Sequence, residues 1–213
     1  MRELSAVDNT LVRLDALLRA ATRVGMRQQR AYPAAEVAEA ADLTAAERRH
    51  AAGLMRVNHA GEVCAQALYL GQAVLARRPA THAALRRAAA EEGDHLSWCA
   101  TRLAELGARP SRLDPAWFAG AVAIGLGAAA AGDRVSLGFV EETERQVVEH
   151  LEGHLASLPV DDRRSRAVVR AMRDDEARHA QAAHAGGAVR LPWLVRRAMA
   201  LHARVMTRLA YWV

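Results

Sequence analysis

The chain has no lysine; all 29 of its basic residues are arginine. It has two cysteines, Cys64 and Cys99, and its aromatic fraction is 4%. Two cysteines make no disulfide framework, and a reducing compartment is the simpler expectation. Sparse aromatic and β-branched residues exclude a β-sandwich, and no glycine repeat of the collagen kind is present. The N-terminus lacks an apolar h-region, and its arginines are mixed with Glu3, Asp8 and Asp15, so neither a secretory signal nor a transit peptide is expected. No Gly-x-Gly-x-x-Gly fingerprint occurs, which argues against a dinucleotide site of its own. The net charge is +5 and the pI near 10.1. The arginines form no basic stripe interleaved with aromatics, so no nucleic-acid partner is expected.

What is present is a globular composition, 52% hydrophobic and 25% charged over 213 residues, with about a quarter of the chain alanine. Alanine is the best helix former, so the expectation is an all-α protein. Leu4, Val7, Leu11, Leu14 and Leu18 share one face of an N-terminal helix, followed by a loop from Tyr32 to Asp42. Thr44 and Glu47 form a capping box that opens a long helix running to Arg78, where Pro79 stops it. Thr81 is expected to cap a second long helix ending at Gly107. Asp114-Pro115 opens an uncharged run of 18 residues to Gly132. That run has the length of a membrane span, but alanine and glycine dominate it, so a buried or interfacial helix is expected instead. A third long helix runs from Asp133 to about Leu158, and a fourth from Asp161 or Asp162 to Gly186-Gly187. From Pro192 to Val213, one face carries Val195, Met199, His202, Val205, Met206, Leu209 and Trp212. Residues 1–43 read as an N-terminal helix and connecting loop with no assigned chemistry, and 44–213 as a helix-bundle domain.

Two Glu-x-x-His motifs carry the chemistry, Glu92-x-x-His95 and Glu176-x-x-His179. Residues three apart on a helix project to the same side, so each pair can hold one ion. Glu62 precedes Glu92 by 30 residues and Glu144 precedes Glu176 by 32, so the halves repeat. One glutamate from each of two helices and one Glu-x-x-His from each of the others is the ligand set of two-metal carboxylate bundles. Carboxylates and imidazoles without thiolate suit iron or manganese. Helical phase selects Glu144, which falls in line with Val140, Val147 and Leu151. Glu141 falls instead with Arg145 and Glu152, and Glu142 with Gln146 and Glu149. Asp175 and Glu91, each just before a ligand glutamate, are placed to receive the distal N–H of a histidine on the facing helix. Asn58, His59 and His150 are further candidates for supporting roles, whereas Cys64 and Cys99 are expected to be inert buried thiols.

The run Arg-Val-Asn-His-Ala-Gly-Glu-Val at 56–63, with Gln66-Ala67-Leu68-Tyr69, resembles the demethoxyubiquinone hydroxylase family of ubiquinone biosynthesis. The resemblance continues through Glu91-Glu92-Gly93-Asp94-His95, Gly132-Asp133, Glu144 and Asp175-Glu176-Ala177-Arg178-His179, and spans roughly residues 45 to 213. It implies a ferritin-like bundle and a monooxygenase with two iron ions per chain, held by Glu62, Glu92, His95, Glu144, Glu176 and His179. The implied substrates are O2 and a polyprenylated demethoxyquinol, with electrons reaching the centre through the quinone. Such a substrate lives in a bilayer, so the resemblance also implies a peripheral protein on the cytoplasmic face of the cell membrane, in contact with the lipid surface and possible partners of the same pathway. The segment from Trp117 to Ala131 and the basic C-terminal helix with Trp193, Tyr211 and Trp212 are the expected contacts. Two rival readings stand beside it: another two-metal enzyme of ferroxidase or manganese-catalase type, and a helical accessory protein with vestigial carboxylates.

Overall fold

The computed structural model of the chain describes Val12, Asp15 and residues 28–39 and 41–213. The expected amphipathic face from Leu4 to Leu18 lies outside the described residues, Val12 and Asp15 apart. Among the described residues there are six helices and no strand: α1 (Ala45–Leu75), α2 (Pro79–Glu105), α3 (Asp114–Ala130), α4 (Asp133–Ser157), α5 (Arg163–Ala185) and α6 (Trp193–Trp212).

Local chemistry accounts for most boundaries. The capping box at Thr44 and Glu47 opens α1 as expected. Two expectations need correction at the next turn. α1 ends at Leu75 rather than Arg78, and Pro79 does not stop it but starts α2 as its first residue, where a missing N–H costs nothing. Asp133, from the start of α4, accepts the backbone N–H groups of Arg77 and Arg78 at 2.9 and 2.8 Å and so fixes this turn from across the bundle. Thr81 lies inside α2, buried, and is not its cap. At the far end of α2, Gly107 takes φ +70°, and Ala108 N–H bonds back to the Leu103 carbonyl at 2.8 Å. Only glycine enters that left-handed turn without strain.

α1, α2, α4 and α5 form the bundle as two antiparallel hairpins, α1/α2 and α4/α5, joined by the crossover that contains α3. This is a ferritin-like four-helix arrangement with added helices. α3 lies along the outside of α1 in close backbone contact. A Cβ on Gly71 would stand 2.6 Å from the Val122 carbonyl oxygen, and one on Gly125 would collide with the Leu68 carbonyl. α6 runs back along α1, its end tied down by Arg56 to the Tyr211 carbonyl (2.7 Å) and by the Tyr211 hydroxyl to His50 (2.8 Å).

Among the described residues the core has three apolar clusters; Val57, Ala60, Met206 and Ala210 form a small one where α6 packs on α1, and the two larger ones lie within the bundle. One gathers Met55, Trp98, Leu103, Leu151, Val168 and Met172; the other gathers Leu68, Tyr69, Leu85, Val140 and Ala183. Along every bundle helix the candidate ligands fall between them: Glu62 between Met55 and Leu68, Glu92 and His95 between Leu85 and Trp98, Glu144 between Val140 and Leu151, Glu176 and His179 between Met172 and Ala183. The fold thus carries one polar layer at its waist, sealed above and below by dry packing.

Candidate metal centre

All six residues converge on that waist. The four glutamates and His95 are at most 3% exposed, and His179 is nearly as well covered. They fall into two overlapping groups, Glu62–Glu92–His95–Glu176 and Glu92–Glu144–Glu176–His179, each offering ligand atoms within 4.8 Å of one another. Glu92 and Glu176 belong to both groups and would be shared by two ions if each group held one.

His95 Nδ1 lies 2.9 Å from Glu92 Oε2, 3.0 Å from Glu176 Oε1 and 3.6 Å from Glu62 Oε2. His179 Nδ1 lies 2.9 Å from Glu176 Oε2, 3.4 Å from Glu92 Oε1 and 3.9 Å from Glu144 Oε1. Each histidine therefore points the same nitrogen inward and the other outward. The outward nitrogens meet carboxylates of the facing helix: His95 Nε2 meets Asp175 at 2.8 Å, and His179 Nε2 meets Glu91 at 2.8 Å.

The electrostatics fit a centre built around positive charge. Burial, reinforced by Glu92, pushes the Glu62 carboxyl well above the ordinary carboxylate range; burial and the charge of Glu176 do the same to Glu144. Burial by itself would lower both histidines, but the surrounding carboxylates outweigh it. His95 is raised well above its ordinary value, and His179 is pushed up to about 12. Burial would raise Glu92 too, but the positive charge on His95 and hydrogen bonds from both histidines hold it below the usual range. Without a metal, protons neutralise this layer. Each inward nitrogen has one proton to share among several carboxylate oxygens, so Glu92 Oε1, Glu144 Oε1 and Glu176 Oε1 make no well-formed hydrogen bond of their own, although His95 Nδ1 stands 3.0 Å from Glu176 Oε1. Buried acceptors of this kind carry a penalty of about 1–3 kcal/mol each, and a divalent cation within the layer would remove it. The residues present fit two metal ions.

Other expected residues stand elsewhere. Glu141 lies at the surface, 3.1 Å from His184, and Glu142 is buried against Arg145 and Gln146; neither reaches the layer. Asn58, His59 and His150 are not partners of a ligand histidine. Asn58 Nδ2 donates to Met55 Sδ at 3.8 Å. His59 faces Asp114 at the start of α3, 3.2 Å away, because α1 is covered on that side by α3. His150 lies against His154, ring centroids 3.9 Å apart and planes tilted by 58°, and lines the same cavity as Glu62 and Glu144. Cys99 is buried against Met172, while Cys64 borders a cavity and burial pushes its thiol up to about 12. Arg30, in the segment assigned no chemistry, reaches the centre's periphery and binds Asp175 at 2.6 Å. No periodicity marks a residue in an irregular segment, so this contact was beyond sequence reasoning.

A cavity of about 640 Å³ opens onto the layer. Glu62, Glu144 and Glu176 form its floor, and apolar side chains of α1, α3, α4 and α6 form its walls, among them Leu68, Ala121, Phe139, Val147 and Met199. Its rim carries the exposed Ile124 and Val195.

Paired carboxylate–histidine groups inside a four-helix bundle define a ferritin-like protein with a candidate two-metal centre. The chain matches the family model described as ubiquinone biosynthesis protein COQ7 over residues 49–210. It is 58% identical over 182 residues to the 3-demethoxyubiquinol 3-hydroxylase of Chromobacterium violaceum, covering 85% of this chain and 88% of that one. It is 56% identical over 205 residues to the same-named protein of Cupriavidus metallidurans, covering 95% and 99%, and 55% identical to that of Ralstonia pickettii, covering 96% and 99%. The chain belongs to the COQ7 family of ubiquinone biosynthesis proteins.

A group that holds its proton more tightly folded than unfolded stabilises the fold below its unfolded pKa, and that stability is lost as pH rises through the folded value. His95 and His179 are displaced upward from 6.5, and Cys64 adds in the same direction from 9.0. Glu92 and Asp175 are displaced downward and ionised in both states near neutrality, and His150 and His154, lowered by burial, are neutral in both states above about pH 7.5. The metal-free protein should therefore lose stability between about pH 7.5 and about pH 9.5, by about 1.4 kcal/mol per pH unit for each retained proton. Thermal unfolding in chelator measures it; a stability that rises over this window contradicts the assignment.

Proposed function

We propose that this protein is a di-iron 3-demethoxyubiquinol 3-hydroxylase, taking O2 and a polyprenylated demethoxyubiquinol. The observation that carries the reading is the apolar cavity whose floor consists of Glu62, Glu144 and Glu176. A ferroxidase or catalase needs a path for small ions or peroxide; a ring-sized apolar chamber against the ligand layer suits an aromatic substrate.

Glu62, Glu92, His95 and Glu176 would hold one iron and Glu92, Glu144, Glu176 and His179 the other. Two ferrous ions, when bound, supply the electrons that activate O2 for transfer of one oxygen atom to the ring. The chain's own residues do the rest. Asp175 and Glu91 accept the Nε2–H of His95 and His179, which fixes each ring with Nδ1 turned inward. The largely apolar walls would hold the ring edge toward the carboxylates. Asn58 Oδ1, buried without a partner at the edge of this cavity, is available to accept a hydrogen bond from a ring hydroxyl. A reduced quinol offers that hydroxyl, and the oxidised quinone does not.

The substrate's tail requires a lipid surface. Among the described residues no helix is long and apolar enough to cross a membrane. α3 and α6 instead present Ile124, Trp193, Leu194, Leu201, Val205, Leu209 and Trp212 outward, the last 81% exposed. Arg204 and Arg208 are also exposed on α6. Apolar residues beside arginines on an exposed helix suit interfacial docking, with guanidinium groups at the phosphate level. The reading places the protein on the cytoplasmic face of the cell membrane.

Three measurements test this. Purified, reconstituted protein should carry two irons per chain and convert a reduced demethoxyquinol with O2 to a product heavier by one oxygen atom; iron bound without that product favours the ferroxidase reading, and no iron favours the accessory-protein reading. Glu144→Ala should abolish turnover while Glu141→Ala leaves most of it, and equal losses would overturn the choice of Glu144. In a flotation gradient the protein should rise with anionic liposomes; a protein that stays at the bottom contradicts membrane docking.

A further inference from the structure

The two halves of the candidate centre are alike in their inward ligands and unlike in what stands behind them. Behind His179 is Glu91, whose side chain is 43% exposed. Behind His95 is Asp175, 6% exposed and held from two sides. Arg178 binds its Oδ1, and Arg30 Nη1 binds its Oδ2, the oxygen that meets His95, at 2.6 Å.

Arg30 comes from the irregular segment before the bundle, and the segment is locked at that point. The backbone N–H of Gln29 donates to Asp94 at 2.6 Å, and Arg30 Nε donates to the other oxygen of Asp94 at 3.0 Å. The guanidinium plane lies over the Trp98 ring, 4.6 Å from its centroid, and Trp98 stands 5.2 Å from the His95 ring. Arg30 Nη2 is 3.2 Å from His95 Nε2 itself. One side chain from outside the bundle therefore braces a ligand histidine by two routes, through Asp175 and through Trp98. His179 has no counterpart to Arg30 among the described residues.

We propose that Arg30 is a positioning residue for the metal centre: acting through Asp175, it fixes His95 and makes the His95 half the tighter of two unequal metal positions. The physical reason is that a ligand held in its binding orientation loses less freedom when the cation arrives, and a carboxylate partner keeps its ring nitrogen basic. The inference rests on the metal-centre reading above but not on the hydroxylation assigned to it.

The test is a titration of metal-free protein with Co2+, followed by visible absorption and calorimetry. Wild type should take up two equivalents with different affinities. Arg30→Ala should weaken the tighter equivalent by about tenfold or more and leave the other unchanged, the range expected when the partner of a ligand histidine is disturbed. Asp175→Asn should do the same, and the double variant should be no worse than either single one, since both act through one contact. Arg30→Lys should restore part of the loss. Arg164→Gln is the control: Arg164 holds the same segment through the Val37 carbonyl at 3.0 Å but touches neither Asp175 nor His95, so it should titrate as wild type.

Wild-type titration by Arg30→Ala overturns the proposal. Equal weakening of both equivalents in Arg30→Ala and Arg164→Gln also overturns it, because the segment then acts only as a structural support. Additive losses from Arg30 and Asp175 do so as well. If wild type binds no metal, the centre itself fails and this inference with it. If it binds two unequal ions but hydroxylates nothing, the activity reading fails and the role of Arg30 stands.

Discussion

Four glutamates buried at one level of a helix bundle repel one another, and each has lost most of its water. Removing a carboxylate from water costs several kcal/mol even after relaxation. The arrangement is tolerable only with compensating positive charge in the same layer. Two imidazoles and retained protons supply part of it: burial and neighbouring carboxylates push Glu62 and Glu144 up, and the surrounding carboxylates hold the proton of His179 up to about 12. Three buried carboxylate oxygens still lack a well-formed hydrogen bond of their own. The two apolar clusters that close the layer raise the local cost and strengthen every interaction inside it. The site and the fold are thus one problem: the bundle is held apart from a single continuous core by a layer that cations would complete.

That constraint also explains why the centre could be read from the residues. Glu-x-x-His motifs separated by long helices repeat in spacing, and helical phase puts Glu144 with Val140 and Leu151. The same phase sends Glu141 outward, where it meets His184. Phase is less informative for Glu142, which is buried too, but against Arg145 and Gln146. It fails on α1. That helix is covered by α2, α3, α4 and α6, and nearly every residue from Ala51 to Ala73 is buried. A helix buried all round offers no stripe that distinguishes one neighbour from another, so His59 was grouped with the centre although it faces Asp114. Thr81 and Pro79 depart from the local expectation for another reason. The turn between α1 and α2 is fixed by Asp133, more than fifty residues away in the chain, and no local signal contains that contact.

The parts of the site that lie off the four bundle helices were the least accessible to sequence reasoning. Arg30 sits in irregular chain, and its meaning comes from meeting Asp175 and Asp94 across the fold. The cavity exists because α3 and α6 flank α1 and leave a gap at the side of the ligand layer. α6 then serves two surfaces: Met199 and Met206 line the chamber or the packing beneath it, while Leu201, Val205 and Trp212 face outward. An apolar tail leaving the chamber would meet the same helix that presents its apolar side to the surroundings.

Anomalous diffraction at the iron edge, from crystals grown of iron-loaded protein, tests the central claim most directly. The account requires two peaks within the layer, one beside His95 and one beside His179, with Glu92 and Glu176 reaching both. A single peak elsewhere in the molecule, or an empty layer in protein that carries iron, would contradict it.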